Sequence, residues 1–128
     1  MEFIGGGELF YYVKTARFSE EVCRYYCRQI CDVVDHIHKR GFAHRDIKLQ
    51  NFLVDKNFNL KIIDFGFTSS LKGRAFGVKH DHKHADRLMG TDCGTPFFKA
   101  PEVSSGELYD GTTADVFSLG VVFFCLMA

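Results

Sequence analysis

His44-Arg45-Asp46-Ile47-Lys48-Leu49-Gln50-Asn51 packs three chemically able side chains into one short stretch. Asp46 is a candidate base, Lys48 a candidate phosphate contact, and Asn51 an amide whose oxygen suits a metal ion. Thirteen residues beyond Asn51 comes Asp64-Phe65-Gly66. A carboxylate on a loop, followed by Gly where the backbone must bend freely, fits a divalent ion bridging phosphate oxygens. Either motif alone is weak, but in this order and on either side of a hairpin they reinforce each other. The hairpin reads as Phe52-Leu53-Val54 and Leu60-Lys61-Ile62-Ile63, joined by the turn Asp55-Lys56-Asn57-Phe58-Asn59. Folding back there brings Asn51 and Asp64 together as two oxygen ligands for magnesium.

Upstream, Ser19 is a good N-cap, with Glu20 and Glu21 opposing the positive helix end. Tyr26, Ile30, Val33, Val34 and Ile37 then recur at helical spacing, and Gly41 after Lys39 and Arg40 is a natural left-handed terminator. This helix is a rigid base for the Asp46 loop. Nearer the start, Met1-Glu2-Phe3-Ile4 reads as an extended strand end and Glu8 to Val13 as a short helix. Gly5-Gly6-Gly7 between them lacks the spaced glycines and following Lys of a phosphate loop, so it reads as a hinge.

Downstream, residues 67–99 show little periodicity and many polar residues. Their length is that of a functional or mobile loop. The run His80-Asp81-His82-Lys83-His84 invites a metal reading, but alternate spacing in an extended loop does not converge three imidazoles, so a solvated surface tract is expected. After Pro101-Glu102, Thr112 or Thr113 is expected to cap a final helix from Ala114 to Met127. That helix is apolar on nearly every face beyond Asp115, as befits the middle of a domain.

The 128 residues amount to one domain or a piece of one, with 46% hydrophobic and 15% aromatic content sufficient for a core. Zero formal net charge gives no electrostatic case for nucleic acid or an acidic membrane surface. Cys23, Cys27 and Cys31 line one helix face without a His or Cys partner cluster, so they read as small packing residues in a reduced chain. No signal peptide is visible. The apolar end from Val116 is too short to span a bilayer, and an intracellular, cytoplasmic setting is expected.

These residues resemble the signatures of the eukaryotic protein kinases. His44 to Asn51 is similar to the catalytic loop and Asp64-Phe65-Gly66 to the metal motif. Ala100-Pro101-Glu102 is similar to the end of the activation segment. Asp115-Val116-Phe117-Ser118-Leu119-Gly120 resembles the start of the central C-lobe helix, with Phe117 where Trp is more usual. Met1 to Phe10 resembles the hinge and the first C-lobe helix. Lys48 and the segment from Gly94 to Glu102 look like the serine/threonine type; Glu8-Leu9-Phe10 and Tyr109-Asp110-Gly111 point towards the calcium/calmodulin-dependent groups. Phe98 and Lys99 depart from that pattern, which bears on the substrate pocket.

The resemblance implies a mainly α fold with a short β-hairpin. Residues 1–128 would form a partial kinase domain, from hinge to central C-lobe helix, without the N-lobe. It implies ATP and Mg2+ as cofactors, and Asp46, Lys48, Asn51 and Thr95 as the catalytic set. Glu2, Ile4, Glu8, Lys48, Gln50, Asn51, Leu53 and Asp64 would meet the nucleotide, with Asn51 and Asp64 on the metal. Backbone at Glu2 and Ile4 would face the adenine edge, Leu53 would lie beneath the ring, and Glu8 would reach the ribose. His44 and Phe65 would stack in the core. Arg45 would grip a phosphate on Thr91, placed there by an upstream activating kinase. Partners would be proteins bearing Ser or Thr, with basic residues upstream of the acceptor. A second reading stays open: a non-catalytic kinase-fold module, or an inactive truncated product, that acts only by binding proteins.

Overall fold

In a computed structural model, residues 4–71 and 88–128 are described. Met1-Glu2-Phe3 and the His80 to His84 run lie outside the described residues. The hinge contact expected of Glu2 and the reading of the His tract therefore have no structural counterpart here.

The longest helix, α2 (Glu20–Lys39), starts where the sequence places its cap: the Ser19 side chain accepts a hydrogen bond from the Val22 amide. Cys23, Tyr26, Ile30, Val34 and Ile37 form its buried stripe, while Val33 is only partly covered. The Cys ladder tilts off that stripe, from buried Cys23 through Cys27 to exposed Cys31, and all three are free thiols. Gly41 ends the helix at a φ of 82°. The shorter α1 (Leu9–Thr15) precedes it and buries Leu9 completely.

The last helix, α3 (Gly111–Met127), begins three residues earlier than expected. Its cap is Asp110, whose carboxylate accepts from the amides of Thr112 and Thr113, rather than either threonine. A carboxylate at the cap meets both the orphan amides and the positive helix end, which a hydroxyl does less well. One side of α3 packs along α2, where the Cys23 thiol donates to the Leu126 carbonyl at 3.1 Å. The other side leaves Val116, Phe117, Phe124 and Met127 exposed.

Strands β2 (Phe52–Val54) and β3 (Leu60–Ile62) form the expected antiparallel hairpin, with Phe52 opposite Ile62 and Val54 opposite Leu60. Ile63 lies just beyond the strand, yet its amide still donates to the Asn51 carbonyl at 2.9 Å. Two further antiparallel pairs were not legible as strands. β1 (Phe42–Ala43) pairs with β4 (Ser69–Ser70), and β5 (Leu88–Met89) pairs with β6 (Tyr109–Asp110). Each strand is two residues long, too short to show any alternation.

The glycine hinge has a specific packing reason. A Cβ on Gly6 would stand 2.0 Å from the Val54 carbonyl oxygen, so only Gly lets the chain pass. The Gly7 carbonyl then accepts from the Val54 amide, and Glu8 forms a β-bridge with Leu53. The main core joins Leu9, Ile30, Val34, Ile47, Phe52, Val54, Val122 and Leu126, drawn from α1, α2, α3, the hairpin and the Asp46 loop. Burying one such side chain, Phe52 for example, contributes about 1.5–3 kcal/mol. A smaller cluster joins Ala43 to Met89, Val103, Tyr109 and Ala114 of the segment that follows residue 88. Among the described residues, no helix is long and apolar enough to cross a membrane.

Candidate active site

The Asp46 loop leaves β1 and is seized at once by α3. Asp115, buried within an otherwise apolar helix, accepts the backbone amides of His44 (Oδ2, 2.8 Å) and Arg45 (Oδ1, 2.8 Å). His38 on α2 reaches the same carboxylate through Nε2 at 2.8 Å. Arg45 is held at a φ of 66°, a left-handed conformation that costs a non-glycine residue about 1–3 kcal/mol. The buried carboxylate offsets that cost by satisfying two amides that would otherwise be orphaned.

His44 itself is fully buried. Its Nδ1 lies 3.2 Å from the Asp46 amide and its Nε2 lies 3.3 Å from the Ile63 carbonyl. One nitrogen faces a donor and the other an acceptor, which fits a neutral ring with its proton on Nε2. Burial pushes the His44 pKa below its ordinary value, outweighing the nearby Asp115, Asp46 and Asp64 carboxylates.

Asp46 collects four donors. Oδ1 accepts from the Thr95 amide at 3.1 Å and the Thr95 hydroxyl at 2.7 Å. Oδ2 accepts from the Asn51 amide at 3.2 Å and lies 2.9 Å from Lys48 Nζ. Lys48 in turn donates to the Thr95 hydroxyl at 2.8 Å. Burial alone would raise the Asp46 pKa, but hydrogen bonds from Lys48, Thr95 and Asn51 overcome it and hold the carboxyl below its usual range. The structure thus brings Asp46, Lys48, Asn51 and Thr95 into one cluster, although Thr95 lies far along the chain. Gly94 makes that approach feasible: a Cβ there would lie 2.8 Å from the Arg45 carbonyl oxygen, and its φ is 102°.

Asn51 spends its amide nitrogen on the Asp46 carboxylate and, at 2.7 Å, on the Asp46 carbonyl, which leaves its oxygen as the end suited to a cation. Asp64 follows Ile63, whose amide is bonded to the Asn51 carbonyl, so the hairpin sets the two side by side in the chain path. Asp64 is exposed, its φ is 60°, and its Oδ1 accepts from the Gly66 amide at 3.2 Å. An amide oxygen and a carboxylate are hard donors, the kind magnesium takes alongside phosphate oxygens. Gln50 Oε1 is buried, with no hydrogen-bond partner among the described residues. Glu8 and Leu53, far apart in sequence, are adjacent through their β-bridge. Ile4 lies in the irregular stretch before the glycines, partly covered.

One expectation needs correction. His44 and Phe65 do meet edge to face, with ring centroids 5.3 Å apart, but Phe65 is 51% exposed rather than in the core. It faces a shallow open concavity that it shares with His36, Ile37, Arg40, Phe42 and Thr68, so much of the ring stays at the surface. Arg45 and Thr91 do not meet directly. Arg45 Nε donates to the Phe67 carbonyl at 2.7 Å, and Nη1 lies 3.4 Å from the Tyr109 hydroxyl, which donates to the Thr91 carbonyl at 2.7 Å. Tyr109 is therefore a link that the sequence did not flag. Burial raises its hydroxyl pKa, against the opposing pull of Arg45. The clamp made by Asp115 was legible only as a lone acidic residue in an apolar helix.

A buried, ionised carboxylate wired to Lys, Thr and Asn, with a second carboxylate at the far end of a hairpin, defines a kinase-type catalytic loop. The comparison with known families agrees: the model described as "Protein kinase domain" matches residues 1–128, and the chain belongs to that family. Among curated proteins it is 45% identical to CBL-interacting serine/threonine-protein kinase 15 of Arabidopsis thaliana, over all of this chain and 28% of that protein. It is 43% identical to CBL-interacting protein kinase 10 of Oryza sativa subsp. japonica, over all of this chain and 26% of the relative. It is 44% identical to CBL-interacting serine/threonine-protein kinase 20 of Arabidopsis thaliana, again over its full length and 27% of the relative. The chain thus spans about a quarter of the length of the curated relatives it matches.

Proposed function

We propose that this chain supplies the catalytic-loop half of a protein serine/threonine kinase, transferring the γ-phosphoryl group of ATP to Ser or Thr of protein substrates. The observation that carries this reading is the Asp46 cluster: an ionised carboxylate whose donors are Lys48, Thr95 and Asn51. An N-lobe would complete the nucleotide cleft, with residues 1–128 as the part from hinge to central helix. Protein substrates with basic residues upstream of the acceptor, and an intracellular, cytoplasmic setting where ATP is abundant, belong to the same proposal.

Asn51 and Asp64 would hold magnesium, which when bound neutralises charge on the phosphate oxygens. Ile4 and Glu2 backbone, Leu53, Glu8 and Gln50 would contact the nucleotide. Asp46 orients the acceptor hydroxyl and takes its proton as the oxygen attacks the γ-phosphorus, while the bond from that phosphorus to the β,γ-bridging oxygen breaks and ADP leaves. All of its acceptor positions are engaged at rest, about four for a carboxylate. We infer that Lys48 leaves Oδ2 for the phosphate, which frees an acceptor for the hydroxyl proton while Thr95 keeps Oδ1 in place. A phosphate on Thr91, added by an upstream kinase, would compete with Tyr109 for Arg45 and carry about −1.5 to −2 charges.

The test is transfer of labelled phosphate to Ser/Thr peptides by the chain joined to a kinase N-lobe. Asp46→Asn is expected to lower turnover by about 10²- to 10⁴-fold with little change in ATP binding. Near-full turnover of that variant would overturn the assignment of Asp46.

A further inference from the structure

Lys99, whose charge departs from the family pattern, has a partner in the structure. Its ammonium lies 2.7 Å from Asp92 Oδ1. The Lys99 side chain is 18% exposed and that of Asp92 is 58% exposed, so one half of the pair is largely shielded from solvent. The pair spans seven residues and closes the base of a loop. At the centre of that loop stands Thr95, whose amide and hydroxyl both bind Asp46 Oδ1. The far limb of the loop is anchored independently: the turn Pro96–Phe98 packs on α3, and the Ser118 hydroxyl donates to the Phe98 carbonyl. The near limb, Asp92-Cys93-Gly94, has its close approach at Gly94, with Lys99 as the charged tie at its start.

We propose that Asp92 and Lys99 are positioning residues: their ion pair closes the loop that carries Thr95 and so keeps Thr95 on Asp46 without any phosphate on the segment. Asp92 supplies the negative charge from within the chain, and it does so to Lys99 rather than to Arg45, which is engaged with Phe67 and Tyr109. The consequence for catalysis rests on the kinase reading above; the geometry does not.

The experiment is amide hydrogen exchange on the 128-residue chain, read at Thr95 and, as a control for global stability, at Ile30 in the buried face of α2. Asp92→Asn and Lys99→Met are each expected to speed exchange at Thr95 by about fivefold, with Ile30 unchanged. The charge-swapped double variant, Asp92→Lys with Lys99→Asp, is expected to restore Thr95 to within about twofold of the parent. Raising salt from about 0.05 to about 0.5 M should move the parent towards the single variants while leaving those variants in place. Unchanged Thr95 exchange in the single variants, a swap no better than either of them, or an equal rise at Ile30 would each overturn the proposal. Because the readout is an amide, these outcomes are the same whether or not the chain transfers phosphate.

Discussion

Asp115 Oδ1 lies 2.8 Å from the backbone nitrogen of Arg45, joining the first turns of α3 to a residue in left-handed conformation beside Asp46. The other oxygen of the same carboxylate takes the His44 amide and His38 Nε2. One buried side chain therefore holds the loop in a backbone shape it would not adopt unaided.

Removing that carboxylate should be among the costliest single changes in the chain. Asp115→Ala leaves two amides without an acceptor in a site 1% exposed, and is expected to lower unfolding free energy by about 3 kcal/mol. Asp115→Asn, which keeps one acceptor oxygen, should cost less. Urea unfolding of the three proteins checks the order, and an Asp115→Ala variant as stable as the parent would contradict the clamp.

Thr95 touches both Asp46 and Lys48 through one hydroxyl. Thr95→Ser keeps that oxygen and Thr95→Val removes it at nearly constant volume. In the chain joined to an N-lobe, the Val variant should lose about 10- to 100-fold in kcat, with Ser close to the parent. Equal activity of the two variants would show that the hydroxyl does not position Asp46.

The pH dependence of stability has a definite sign at His44. Its folded pKa is lowered from the ordinary 6.5, so its share of stability is complete above that value and is lost as the pH falls below it. Asp46, also lowered, loses its share only in the acid range below about 3.8. Between pH 7.5 and pH 5.5, on either side of the ordinary His value, the parent should therefore lose stability more steeply than His44→Phe. Parallel stability curves for the two proteins would be evidence against a neutral buried ring.

Gly94→Ala is expected to disturb the site from the backbone side. The new Cβ would meet the Arg45 carbonyl at 2.8 Å and force an unfavourable φ, at a cost of about 1–3 kcal/mol. Because the displaced residue adjoins Thr95, Thr95 should lose protection in amide exchange before the rest of the chain does. A fully protected Thr95 in that variant would show that the loop tolerates the shift.

Arg45 and Thr91 are coupled through the Tyr109 hydroxyl, so regulation can be separated from simple packing. If phosphate on Thr91 recruits Arg45, then Thr91→Ala and Arg45→Ala should each abolish activation by an upstream kinase, and the double variant should be no worse than either. Tyr109→Phe, which removes the competing hydroxyl, should leave that activation intact. Strictly additive losses in the double variant, or a Thr91→Ala enzyme still fully activated, would rule the scheme out.

Local chemistry made much of this chain readable in one dimension. The cap at Ser19, the buried stripe of α2 and the hairpin are near-neighbour patterns, set by helical spacing, turn residues and strand propensity. The backbone bond from Ile63 to Asn51 followed from that hairpin, because a chain that turns back must bring its ends together. The cap of α3 was missed because Asp110 and two threonines compete for one role, and only backbone geometry decides which side chain reaches the free amides. Tertiary packing alone decided that Asp115 would clamp Arg45, that Tyr109 would stand between Arg45 and Thr91, and that Lys99 would find Asp92. Those contacts join residues whose separation in the chain carries no periodic signal. The Asp115 clamp depends on which polar groups are left without water once the helices close, and that is settled only when the whole core has formed.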